Sequence, residues 1–296
     1  MNKIKSSKED KIFSFFNYLI LGLVLIVVIY PLYFVVIASI SDPNEVINGN
    51  VFLLPKQVSL DGYLRIFKDA NILTGYANSM LYTVVATVIG VVVTMMIAYP
   101  LSKEDFSGKK LITLFIFIPM YFSGGLIPTY LHMKNIGLLG SRWAVILIGC
   151  ISTYNIIVTT SFLKANVPKE LEEAAMLDGC SHFRFFFTIV PYLSKAVMAV
   201  LVLYYGVGHW NDYFNAMIYL KDSSQYPLQL ILRTILLQAQ NSSAMLEDVT
   251  MMDEMMRITE QIKYGVIIVA SLPMLILYPF LQKYFVKGVM IGSLKG

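Results

Sequence analysis

The sequence predicts an all-α membrane protein with six transmembrane helices, and three observations carry that prediction. Hydrophobic residues make up 57% of the 296-residue chain and charged residues only 14%, against about 45–50% and about 25% in an ordinary soluble domain. Six stretches are apolar over the length that a helix needs to cross a hydrocarbon core, roughly 20 residues for about 30 Å. None shows the apolar–polar alternation of barrel strands, and lipid leaves the backbone no third way to pair its polar groups.

The basic N-terminal segment, residues 1–12 with Lys3, Lys5, Lys8 and Lys11, leads into an apolar run from Phe13 to Ile40. That run is too long for the core of a signal peptide, and no small-residue cleavage site follows it. It reads as the first span, 13–40. The second covers 76–101 ("MLYTVVATVIGVVVTMMIAY") and the third 111–131. Gly124, Gly125 and Pro128 in "YFSGGLIPTY" are placed to kink the third span or to let a neighbouring helix approach closely. The fourth covers 142–163, the fifth 195–219 and the sixth 263–286 ("YGVIIVASLPMLILYPF"). Cys150 lies in a span and Cys180 in a loop, so two unpaired thiols are expected.

Orientation follows from the basic residues of the connecting segments. With the N-terminus inside, 14 of the 23 Lys and Arg residues fall on the inner side and 9 on the outer. Both termini, the 164–194 loop and the 287–296 tail are therefore expected in the cytoplasm of a multi-pass plasma-membrane protein. The loops 41–75 and 220–262 are expected to face outward, the second Met-rich and partly helical. The net charge of +4 is not that of a nucleic-acid binder. His132, His182 and His209 are isolated, so no metal site is expected.

One inner segment is unlike the rest. "VPKELEEAAMLDG" has helix logic: Pro168 suits a first turn, and Glu170, Glu172 and Glu173 complement the positive end of the dipole. Ala174, Ala175, Met176 and Leu177 propagate the helix, and Gly179 can end it in a left-handed conformation. "HFRFFFTIVP" follows as an amphipathic aromatic stretch suited to an interface. On physics alone this pair of helices is either an ordinary loop or a docking element.

The fifth span carries "LYYGVGHWNDYFNAM". Polar groups at membrane depth usually face a bundle interior, a cavity or a partner. Aromatic faces beside amides suit sugars, which offer C–H faces and hydroxyl edges. Tyr205, His209, Trp210, Asn211 and Asn215 are the candidates for lining a substrate path. The competing reading places Trp210 and Tyr213 in an interfacial aromatic belt.

These residues carry a family resemblance. Glu173-Ala174-Ala175, then Asp178-Gly179, then Ile189 and a proline resemble the EAA loop of permease subunits in ATP-binding-cassette (ABC) importers. "EAAMLDGCSHFRFFFTIVPYLSKAVMAVLVLYYGVGHWNDYFNAMIYL" resembles the sugar-importer permeases of the maltose-permease type. "YPLYFVVIASISDP", "FSGGLIPTYL" and the terminal "GVMIGSLKG" resemble a Gram-positive branch often associated with oligosaccharides. The likeness runs over nearly the whole chain. One departure is local: where the family has Leu-Pro after Ile-x and later Ser-Lys-Pro, this chain reads Pro191-Tyr192 and Ser194-Lys195-Ala196, which bears on the bend before the fifth span.

The resemblance implies the type I ABC importer permease (MetI-like) architecture, with cytoplasmic EAA coupling helices. It implies that Glu173, Ala174, Ala175, Asp178 and Gly179 dock in a cleft of an ATPase subunit, with Glu173 facing a basic residue there. It implies that the tail, with Gly288, Gly292 and Lys295, reaches between the ATPase subunits as an extended peptide. The partners implied are a second homologous permease, two ATP-binding cassette subunits, an extracellular substrate-binding lipoprotein, membrane lipid and a carbohydrate.

The chain has no G-x-x-x-x-G-K-[ST] phosphate loop. ATP and Mg are thus expected on the partners, with no cofactor and no enzymatic activity in this chain. The same permease role for a peptide, polyamine or amino acid is the nearest alternative; charged cargo would favour compensating charges, whereas the fifth span offers mostly neutral polar and aromatic groups. A membrane-embedded enzyme would want clustered His, Asp or Glu, and His209 with Asp212 is the only suggestive pair.

Overall fold

The computed structural model describes residues 8–245 and 249–293, whose regular elements are helices with no strand among the described residues. The chain is a membrane protein in which α1 (Lys8–Ser39), α4 (Ala70–Ser102) and the Ile262–Phe280 part of α15 (Val249–Ser293) are each long and apolar enough to span a bilayer. Between α1 and α4 lie α2 (Pro43–Ile47) and α3 (Asp61–Lys68). After α4 come α5 (Lys109–Tyr121), α6 (Leu126–Asn135), α7 (Arg142–Leu147) and α8 (Thr153–Asn166). Three short helices follow, α9 (Lys169–Leu177), α10 (His182–Thr188) and α11 (Val190–Leu193). Then follow α12 (Lys195–Trp210), α13 (Phe214–Tyr219) and α14 (Leu228–Met245), which leads to α15.

Three expected spans are broken rather than continuous. The third divides into α5 and α6, bent by 117°. The break ends at Gly125, whose φ of +85° is open to glycine and costly for side-chain-bearing residues. The fourth divides into α7 and α8 around Gly149, at φ +79°. The fifth ends its regular helix at Trp210 and resumes at Phe214. At the other end of α12, the α10–α11 segment turns by 83°. Pro191 sits at the start of α11, where its missing N–H is harmless, so the displaced proline leaves the bend to fall at buried Ser194. If each bent pair counts as one span, the helices long and apolar enough to cross number up to five among the described residues.

The chain divides into two compact units. The first takes the chain up to Asp69 with Ile235–Ala270. Here α1 is nearly all exposed apolar surface and buries only Ile37, Ala38 and Ser39 at its end, the surface of a helix that meets lipid. Tyr30 donates to the Phe52 carbonyl at 3.3 Å and Tyr33 to that of Leu53. Tyr63 donates to Ser39 Oγ at 2.8 Å. A Cβ on Gly265 would lie 2.8 Å from Ile66, so that residue's smallness lets α3 and α15 meet.

The second unit, Ala70–Thr234 with Ser271–Gly296, is organised on α4. Its buried face is a ladder of small and polar residues, among them Gly75, Ser79, Thr83, Ala86, Thr87, Gly90 and Thr94, at the spacing of one helix face. Small residues let backbones approach where lipid provides no hydrophobic drive. A Cβ on Gly90 would stand 2.6 Å from the Cys150 carbonyl and 3.0 Å from the Tyr205 ring. Toward the Ser102 end, Val91, Met95 and Ala98 pack with Leu163, Val167, Phe185, Val190, Leu201 and Tyr205. Toward the other end, Tyr82 and Ala86 pack with Val145, Ile146, Ala216, Leu220 and Leu230. In contrast, α5 and α6 bury no residue.

At the C-terminus, α15 stays helical through Gly288 and Gly292 to Ser293, where an extended tail is expected from the resemblance. An isolated glycine costs a helix only about 1 kcal/mol, and neither glycine ends this one. Lys295 lies outside the described residues.

Candidate functional site

Two places in the second unit have the chemistry expected of a functional site. The first is the α9–α10 hairpin. Pro168 stands just before α9 with φ −63°, and Asp178 closes that helix with its backbone N–H on the Ala174 carbonyl at 3.1 Å. Gly179 follows at φ +79°, and Cys180 N–H reaches back to Ala175 O at 2.9 Å, the return bond of a glycine-terminated helix. Ser181 then caps α10, its Oγ accepting from Arg184 N–H at 3.3 Å.

The hairpin has an inner and an outer face. Inward, Ala175, Met176, Cys180 and Phe186 pack on the core of Phe185, Val190, Leu163 and Met95. Outward lie Glu173, Ala174, Asp178 and Gly179, together with Leu177 at 90% exposure and Phe183 at 78%. Glu173 lies 3.6 Å from Lys169 and keeps 63% of its side chain exposed.

Glu172, which sequence reasoning treated only as a helix-dipole charge, is the acidic residue that turns inward. Its side chain is 12% exposed. It accepts from the Tyr99 hydroxyl at 2.8 Å and from the Lys103 ammonium, and His182 Nδ1 lies 3.4 Å away. Burial pushes its carboxyl up, but the bonds from Lys103 and Tyr99, the Lys103 charge and His182 outweigh this and hold it below the usual range. The available signal was the spacing of Tyr99 and Lys103, which puts an aromatic hydroxyl in the last turn of α4 and a cation just past its end.

The second place is a cavity of about 310 Å³ lined by Ile148, Gly149, Tyr204, Tyr205, Gly208, His209, Asp212 and Asn215. That volume is at the small end of small-molecule sites, about 300–1,000 Å³. Of the expected path residues, Tyr205, His209 and Asn215 meet here. Trp210 and Asn211 do not line it. Successive helical residues point about 100° apart, so 209, 210 and 211 cannot share a wall. Trp210 is buried edge-on against Tyr76, ring centroids 5.6 Å apart. Asn211 donates back to the Val207 carbonyl at 2.9 Å, finishing α12.

The cavity wall is held by specific bonds. The hydroxyls of Tyr205 and Thr94 lie 2.7 Å apart, and Ser152 N–H donates to Tyr205 Oη at 3.1 Å. Asp212 accepts from Asn215 twice, from its backbone N–H at 3.1 Å and from Nδ2 at 2.8 Å. The lining contains two tyrosine rings, an imidazole, an amide and one carboxylate, with no Lys or Arg.

No protein-family model matches the chain. It is 40% identical to Protein LplC of Bacillus subtilis over 301 aligned residues, covering 100% of this chain and 99% of that one. It is 38% identical to the polygalacturonan/rhamnogalacturonan transport system permease protein YtcP of the same organism, covering 97% and 100%. Among solved structures it resembles a bacterial ABC transporter involved in the import of the acidic polysaccharide alginate, with a TM-score of 0.86, 29% identity, and coverage of 96% and 100%. Near-complete coverage at these identities assigns the chain to the family that its EAA-like loop indicates: it belongs to the permease proteins of carbohydrate ABC transport systems.

Proposed function

We propose that this chain is the permease subunit of an ATP-driven importer of oligosaccharides, and that it forms the translocation path with a second homologous permease. An extracellular binding lipoprotein delivers the sugar, and two ATPase subunits supply the hydrolysis. The topology has six spans with both termini cytoplasmic, the broken helices α7–α8 making the fourth span and α12–α13 the fifth. Relatives named for polygalacturonan, arabinooligosaccharide and galactooligosaccharide transport support a glycan cargo. So does the cavity at α12, where tyrosine rings stand beside His209 and Asn215.

The observation that carries this reading is the two-faced hairpin. Its inner face is fixed to α4, α8 and α12 through one core, while Glu173, Ala174, Leu177 and Phe183 are left bare. An element of this kind can receive a push on one side and pass it into the membrane helices on the other. Glu173 faces an ATPase cation, Ala174 lets the surfaces approach, and Gly179 sets the turn, while Ala175, expected on the docking face, instead packs inward on the core. The tail with Gly288, Gly292 and Lys295 extends the same contact.

The test is uptake and ATP hydrolysis by the complete transporter in vesicles, with its binding protein and a panel of oligosaccharides. Glu173→Ala is expected to lower both uptake and sugar-stimulated hydrolysis by about tenfold, the loss of one charge-assisted contact across an interface. The permease pair is expected to assemble as in the wild type. Uptake that persists without any ATPase subunit is the result that contradicts the reading.

A further inference from the structure

The carboxylate of Glu172 ties three elements together. Tyr99 belongs to the last turn of α4 with Lys103 just past its end, Glu172 to α9 and His182 to the start of α10. The Lys103 ammonium also lies 4.5 Å from the Tyr99 ring centroid and 5.9 Å from that of Phe185, and Tyr99 packs on Phe186 at 5.2 Å. Apolar packing already holds the hairpin against the core through Phe185 and Val190. Such packing resists separation but not sliding, because it is non-directional. The hydrogen bonds are directional and fix register. A partly buried ion pair contributes little net stability, since desolvation offsets its attraction, so the consequence of this cluster is geometric.

On the same helix, five residues before Tyr99, Thr94 meets Tyr205, which lines the cavity and holds Ser152 N–H. Tyr99 and Thr94 are less than two helical turns apart, and close-packed interiors transmit displacement rather than absorb it. We propose that Glu172 is the positioning residue that makes α4 follow the hairpin, so that a displacement of α9 reaches the cavity wall at Tyr205. The proposal rests on the reading that the hairpin docks on an ATPase subunit.

The experiment measures sugar molecules taken up per ATP hydrolysed by the complete transporter in vesicles, using the labelled oligosaccharide that the wild type imports. Glu172→Gln is expected to lower that ratio by about tenfold, the factor for one lost charge-assisted bond, while the ATPase subunits still co-purify. Lys103→Met is expected to act alike, and Tyr99→Phe to lower the ratio less because it keeps the ring against Phe186. A merely structural role would reduce the yield of complex and leave the ratio unchanged. A wild-type ratio in assembled Glu172→Gln and Tyr99→Phe overturns the proposal while leaving the docking reading intact. Should Glu172→Gln fail to assemble, the ratio in Tyr99→Phe decides in the same sense. If ATPase subunits bind equally well when Glu173 and Leu177 are replaced together, the docking reading falls and takes the proposal with it.

Discussion

Tyr205→Ala is expected to destabilise the purified permease by about 3–5 kcal/mol, the usual cost of deleting a large buried side chain. Three losses add up. The ring is 3% exposed and belongs to the core that joins α4, α8, α10 and α12. Its hydroxyl bond to Thr94 disappears, and Ser152 N–H loses its acceptor. The missing ring also opens a void beside Gly90, whose lack of a side chain had allowed the two helices to close on it. Tyr205→Phe separates these contributions. It keeps the ring and is expected to cost about 1–3 kcal/mol, the range for leaving a buried polar group unsatisfied. Thermal denaturation of the complex in detergent checks both.

Trp210→Ala is expected to be as destabilising, again about 3–5 kcal/mol, without changing which sugars are taken up. Trp210 is buried against Tyr76 and has no part in the cavity wall. Tyr204→Ala should do the opposite. That ring is exposed to the cavity, edge-on to Tyr154 at 6.2 Å, and its loss should leave stability nearly unchanged while weakening discrimination among sugars. Competition uptake across the oligosaccharide panel, set beside melting curves for the two variants, reads the contrast directly. A shift in sugar preference with Trp210→Ala and none with Tyr204→Ala would move the path to another face of α12.

The same contrast shows what sequence alone conveys. The uninterrupted apolar runs of α1 and α4 announce themselves, because membrane burial demands length and the absence of charge over a whole helix. The breaks at Gly125 and Gly149 do not, since a glycine in an apolar run serves equally as a kink, a turn or a close-packing point. The tail shows the same ambiguity: Gly288 and Gly292 are helical, although spaced glycines also suit an extended peptide. In the hairpin, the helix start at Pro168 and the turn at Gly179 follow from local chemistry. Glu172 and Glu173 are indistinguishable there. Only the arrival of Tyr99 and Lys103, some seventy positions earlier in the chain, turns one inward and leaves the other bare. The path residues divide likewise, for consecutive polar positions on a helix look alike in sequence but face different neighbours in the bundle.

The central claim is that the outer face of α9–α10 seats an ATPase subunit. Leu177 is 90% exposed at the tip of that face, and Cys150 is buried, so a single reactive thiol can be placed with Leu177→Cys in a Cys180→Ser background. Cross-linking of this position to the ATPase subunit in the assembled transporter is the most direct measurement. The account predicts a specific cross-linked product whose yield changes between the ATP-bound and nucleotide-free states. No product in either state, from a transporter that still imports sugar, would contradict it.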